Sequence, residues 1–113
     1  MNYRIATTDY FEYNFKRLSK KYHSLIDDLE TFKNELLKHP DMGDDLGNNT
    51  RKVRMAIVSK NKGKRGGARV ITCNVLVDVD NSKIYLLTIY DKGEKGSISK
   101  KEIRHLKEIN GIV

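Results

Sequence analysis

"KVRMAIVSKNKGKRGGARVITCNVLVDVDNSKIYLLTIY", residues 52–90, decides the fold. In its first seven residues Val53, Met55 and Ile57 face one way and Lys52 and Arg54 the other, the period of a half-buried strand. After a basic loop, ARVITCNVLV (68–77) and KIYLLTIY (83–90) predict two more strands. Asp78, Asp80 and Asn81 supply turn chemistry between them. Connections this short make the strands antiparallel. Both later strands are apolar on both faces, as central strands of a covered sheet must be.

Upstream, Tyr3 to Thr8 predicts a short first strand. Asp9 with Glu12 resembles a capping box, and Phe11, Phe15, Leu18 and Tyr22 then recur at helical spacing, with the helix ending near Tyr22. Ser24 is placed to cap a second helix, striped by Leu25, Leu29, Phe32 and Leu36 and widened by Ile26 and Leu37. Pro40 ends it, because proline excludes the helical conformation from the residue before it. Helices joined so closely predict an antiparallel hairpin covering one side of the sheet. PDMGDDLGNNT (40–50) reads as a loop by its Gly, Asn and Asp content. Downstream, Ser99 and Glu102 form a capping box, Ile98 and Ile103 a hydrophobic staple, and Ile103, Leu106 and Ile109 a narrow stripe. The expected order is β-α-α-β-β-β-α: one α+β domain over residues 1–113, its sheet antiparallel except at the N-terminal strand.

Composition narrows the function. The 38% hydrophobic and 33% charged residues are ordinary for a soluble chain. No apolar run approaches the length of a membrane span, and Met1-Asn2-Tyr3-Arg4 opens no signal peptide, so neither membrane nor export is expected. Cys73 is alone, which fits a reducing cytoplasm and a buried, inert thiol. His23, His39 and His105 lack metal-ligand spacing, the DMGDD carboxylates lack the calcium-loop pattern, and no cofactor is implied. The glycines at 63, 66 and 67 do not make a nucleotide-binding P-loop.

Charge is the stronger signal. Residues 1–50 hold seven Lys/Arg against nine Asp/Glu, and residues 51–113 hold fifteen against six, a swing from −2 to +9. No acid stands between Asp45 and Asp78. SKNKGKRGGARV (59–70) packs five cations and three glycines into twelve residues. At an effective dielectric near 20, unit charges about 5 Å apart repel by about 3 kcal/mol, so the cluster weakens the fold unless water or a polyanion offsets it. Lysines on such a loop give sequence-blind electrostatic capture. Arg69, just inside a strand, gives oriented bidentate phosphate recognition. Lys52 and Arg54 can face the same groove. Few aromatics remain for base stacking apart from Tyr85 and Tyr90.

VRMAIVSKNKGKRGGARVITC followed by YLLTIYDKGEKGSISKKEI resembles the RelE/HigB toxins of bacterial type II toxin–antitoxin modules. The shared signatures are K-x-K-G-K-x-G-G-x-R-V-I and L-L-T-I-Y-x-K-x-E, and the elements follow the family's order. The resemblance implies a RelE-like sheet with an N-terminal helix hairpin on one face, a C-terminal helix and an RNA-binding cleft. It implies a metal-independent endoribonuclease that cuts mRNA in the ribosomal A site, against 16S rRNA, and is neutralised by a helix-turn-helix antitoxin.

Such cleavage needs a base for the 2′-OH, cations for the phosphate and an acid for the leaving oxygen. By resemblance, Arg69 contacts the scissile phosphate and Lys92 is the second phosphate-contacting cation. Lys52 and Arg54 match the family's preceding strand, and Lys60, Lys62, Lys64, Arg65 and Lys95 hold RNA backbone. Lys60, Lys92 and Glu94 are the candidate bases; a lysine's ordinary pKa of about 10.4 must fall for that role, and neighbouring cations lower it. The best-known RelE branch carries a tyrosine a few residues past the second cation. Here GSIS stands in that region, as in HigB-like members, which leaves proton transfer unassigned; Tyr90 is either a substitute or a tyrosine packed at a strand end. Two rivals are a ParE-like gyrase inhibitor, disfavoured by the cationic cluster, and a non-catalytic RNA-binding module.

Overall fold

The three strands read from residues 52–90 are present, inside a larger sheet. In the computed structural model, which describes residues 1–112, five strands form one mixed sheet. They are β1 (Asn2–Thr7), β2 (Asp44–Gly47), β3 (Thr50–Met55), β4 (Ala68–Leu76) and β5 (Asn81–Asp91), in spatial order β1-β5-β4-β3-β2. β1 pairs with β5 in parallel; every other pairing is antiparallel. Three α-helices complete the α+β fold: α1 (Asp9–Lys21), α2 (Leu25–Lys38) and α3 (Lys100–Ile109).

β2 corrects the loop expected at residues 40–50. Gly47 pairs with Thr50, so Asn48 and Asn49 form a two-residue hairpin turn, and their φ angles of 52° and 60° are the left-handed pair that a type I′ turn requires. Asparagine tolerates that conformation because its short polar side chain satisfies nearby backbone. β3 stops at Met55 instead of reaching Val58. There the chain leaves the sheet to bond the start of α2: Val58 N–H donates to Asp28 Oδ2 at 3.1 Å and Ser59 N–H to Ser24 Oγ at 2.9 Å. Ser24 therefore spends its hydroxyl on that tie and makes no helix cap. Thr8, not Asp9, caps α1: its Oγ1 accepts from Phe11 N–H at 3.1 Å and donates to Leu87 O at 2.8 Å. Asp9 and Glu12 instead sit in the first turn, where the helix dipole favours negative charge.

Both early helices lie on one face. Phe11 and Leu18 of α1 and Leu25, Leu29, Phe32 and Leu36 of α2 share a core with Val53, Val70, Ile84, Leu86 and Ile89. The helix pair departs from a self-packed hairpin: α1 rests mainly on β5, α2 spreads over β1, β3 and the turn at Val58–Lys60, and the seam between the helices is thin. Accordingly Ile26 and Leu37, expected to widen the stripe, are exposed. α3 covers part of the opposite face, where Ile103 and Ile112 pack with Ile71, Cys73, Leu87 and Tyr90. Its Ser99–Glu102 capping box forms as expected, and Ile98 packs beside Ile103. Ile109 is exposed, and Lys107 is buried in its stead. Among the described residues no helix is long and apolar enough to cross a membrane.

Candidate functional site

One residue arranges the site. Cys73 pairs with Tyr85 and Thr72 with Leu86, but Ile71 pairs with Thr88, so Leu87 is an extra residue in β5 with no partner on β4. Because strand side chains alternate faces, such a bulge reverses everything beyond it. An unbroken register would set Ile89 opposite Arg69; the bulge sets Tyr90 there. Ile89 and Asp91 thereby turn toward the helices, and Tyr90 and Lys92 turn toward the face that carries Arg69.

The glycine loop is held close by sterics. A Cβ on Gly67 would lie 2.2 Å from Met55 O and 3.0 Å from Ile57 N, so only glycine lets the loop return against the end of β3. Lys92 N–H then donates to Gly67 O at 3.1 Å, stitching the loop to the end of β5. The base of the loop is thereby a packed wall, while residues 61–65 stay exposed.

That wall borders a cleft of about 300 Å³ lined by Lys52, Arg54, Arg65, Arg69, Lys92 and Tyr90, with Asp44 and Gly96. Five cations face one carboxylate. Asp44 joins them because it pairs with Lys52 across the β2–β3 hairpin, which the loop reading hid.

Arg69 is 6% exposed and forms no ion pair among the described residues. Its Nη1 donates to the carbonyls of Lys64 (3.2 Å) and Ala68 (3.1 Å), and its Nη2 to that of Arg65 (2.9 Å). A guanidinium has five N–H donors, so two remain for a ligand. A buried charge without a counter-ion is costly, and an anion in the cleft removes that cost.

Beside it, Tyr90 is 5% exposed, a correction to the stacking role read from sequence, and its hydroxyl finds no hydrogen-bond partner. Burial pushes the phenol above its ordinary pKa, with Arg69 and Lys95 pulling back and Glu102 adding to the rise. At neutral pH it is a protonated donor with nothing among the described residues to donate to. Lys92 is exposed, its Nζ 3.1 Å from Gly96 O.

Other sequence candidates lie elsewhere. Lys60 is on the helix side, its Nζ 2.7 Å from Asp91 Oδ1, in a cluster with Tyr22. Burial pushes the Asp91 carboxyl up, but bonds from Lys60, Tyr22 and the Gly93 N–H outweigh it and hold it below the usual range. Glu94 pairs with Arg17 at 3.1 Å and Lys21 at 3.8 Å. Lys95 pairs with Glu102 at 2.8 Å, which raises the lysine's pKa and lowers the glutamate's. Lys64 reaches Glu35 at 2.8 Å, and Lys62 stands exposed on the loop. The structure thus gathers Arg69, Lys92, Tyr90, Lys52, Arg54 and Arg65, and leaves out Lys60, Glu94, Lys95, Lys64 and Lys62. Asp91, which anchors the loop through Lys60, was missed; its signal was a lone acid at the end of an apolar strand. No family model matches the chain.

Proposed function

We propose that this chain is a RelE/HigB-like toxin that cleaves mRNA on the ribosome without a metal ion. The observation that carries the reading is the pairing of Arg69 and Tyr90 on adjacent strands, a buried cation without a counter-ion beside a buried hydroxyl without a partner. Both deficits are met by one ligand, a phosphodiester. The two free N–H groups of Arg69 hold a non-bridging oxygen as charge develops. Among the three candidate bases, Lys92 alone lines the cleft, where it is placed to take the proton of the 2′-OH. The 2′-oxygen bonds to phosphorus, the bond to the 5′-oxygen breaks, and Tyr90 protonates the leaving oxygen. The products are a 2′,3′-cyclic phosphate and a 5′-hydroxyl. Lys52, Arg54 and Arg65 bind the flanking backbone, the site of action is cytoplasmic, and an antitoxin blocks the cleft.

Translating ribosomes with purified protein test this. Tyr90→Phe should lower the cleavage rate by about 10²- to 10⁴-fold, the usual worth of a general acid. It should also raise the melting temperature, because it removes a buried hydroxyl that bonds nothing. Unchanged cleavage by that variant would remove Tyr90 from the chemistry. Equal cutting of naked RNA would remove the ribosome. A binding-only reading has one observation in its favour, the engagement of Lys60 and Glu94 elsewhere; ribosome binding with intact mRNA would establish it.

A further inference from the structure

A second cleft, of about 670 Å³ and larger than the first, lies between the β2–β3 turn and α3, outside the site described above. Its floor is apolar, from Leu46, Ile103 and Ile112, and its rim carries Lys100, Arg104 and Lys107 against one acid, Glu108. None of the three cations forms an ion pair among the described residues. Lys107 is 8% exposed, and its Nζ donates only to neutral acceptors, Asn48 O at 3.2 Å and Thr50 Oγ1 at 3.4 Å. An ammonium has three N–H groups, so one remains.

One face of β3 links the two clefts. Thr50, Lys52 and Arg54 alternate onto one face of β3, opposite Cys73, Ile71 and Arg69. Thr50 lines the second cleft, and Lys52 and Arg54 line the first. From Thr50 to Arg54 the strand runs about 13 Å. A short stretch of single-stranded backbone spans that distance; one nucleotide does not.

We propose that the α3 cleft is a second nucleotide site on the same RNA strand, beyond the phosphate held at Arg69. The base lies on the floor of Leu46, Ile103 and Ile112, and its phosphate meets Lys100 and Arg104. Lys107 supplies the remaining donor from the wall. This rests on the RNA reading of the first cleft and deepens it: the substrate is a strand of several nucleotides, and affinity grows with length until the α3 cleft fills. An apolar floor beneath a cationic rim suits a nucleotide, which carries both a flat base and an anion.

Fluorescence anisotropy with 2′-O-methyl RNA, which cannot be cut, tests the extension on the full chain. Wild-type protein should bind a hexanucleotide tighter than a dinucleotide. Lys100→Glu with Arg104→Glu, both at exposed positions, should weaken the hexanucleotide by at least about tenfold and leave the dinucleotide unchanged. The salt dependence for the hexanucleotide should flatten by about 0.7 per lost phosphate contact. Equal loss for both lengths, or no loss for either, overturns the proposal. So does a hexanucleotide of abasic residues that binds as tightly as the intact one, or an acidic hexapeptide that displaces RNA from wild-type protein but not from the variant. If wild-type protein binds neither oligonucleotide, the first cleft's RNA reading falls, an outcome separate from the loss of the length effect alone.

Discussion

Lys60 and Arg69 belong to one loop-and-strand segment, yet they end on opposite faces of the sheet in opposite electrostatic states. Lys60 lies 2.7 Å from Asp91, whose other oxygen accepts from Tyr22, and the group is closed. Arg69 has three backbone carbonyls, no carboxylate and two idle donors, with an unsatisfied phenol alongside. The helix face spends its cation on holding the loop. The cleft face keeps its cations available. Residue type does not separate an anchoring cation from a ligand-binding one; the face on which the chain leaves it does.

The bulge at Leu87 creates that separation, so giving Leu87 a partner, by inserting an alanine between Ile71 and Thr72 of β4, is the most severe way to break it. The insertion would restore an unbroken register, send Ile89 and Asp91 to the other face and turn Arg69 and Tyr90 beneath the helices. We expect loss of the cooperative thermal transition, whereas Leu87→Ala should cost about 2–5 kcal/mol and leave the cleft face in place. An insertion variant that melted near wild type would show that the register does not organise the site.

Next in size is Asp91→Asn, which leaves the Lys60 ammonium buried without a carboxylate. Chemical denaturation should show a loss of about 3 kcal/mol or more. A loss well below 1 kcal/mol would mean that the pair does not anchor the loop. Acid sharpens the same comparison with a smaller effect. The Asp91 carboxyl is held below its unfolded value of about 3.9, so its contribution is complete above that pH and fades as pH falls through the native value. Between pH 5 and 8 the Asp91 contribution should be flat. Below about pH 4 the wild type should lose stability more steeply than Asp91→Asn; parallel acid limbs would take Asp91 out of the linkage.

Periodicity carried the strands at 52–90, both early helices and the α3 capping box, because each is a local pattern that burial rewards wherever the element sits. The β2–β3 hairpin was hidden: Asp44–Gly47 is short and polar, and its turn uses two asparagines where glycine is the usual mark. At the site, the density of cations and the strand position of Arg69 were legible. Their sorting was not. Leu86 and Leu87, adjacent and both fully buried, were the visible break in alternation, but a strand apolar on both faces gives a bulge no contrast against which to show. For the same reason Tyr90 read equally as an exposed base stacker and as a tyrosine packed at a strand end, and the structure shows the second.

By itself the sequence determined an α+β chain with a basic second half and a glycine-hinged cationic loop, since hydrophobic period and charge are local properties. Tertiary structure alone decided which cations are spent and which are free. That choice depends on one extra residue in β5, whose effect exists only when β4 lies beside it to fix the register.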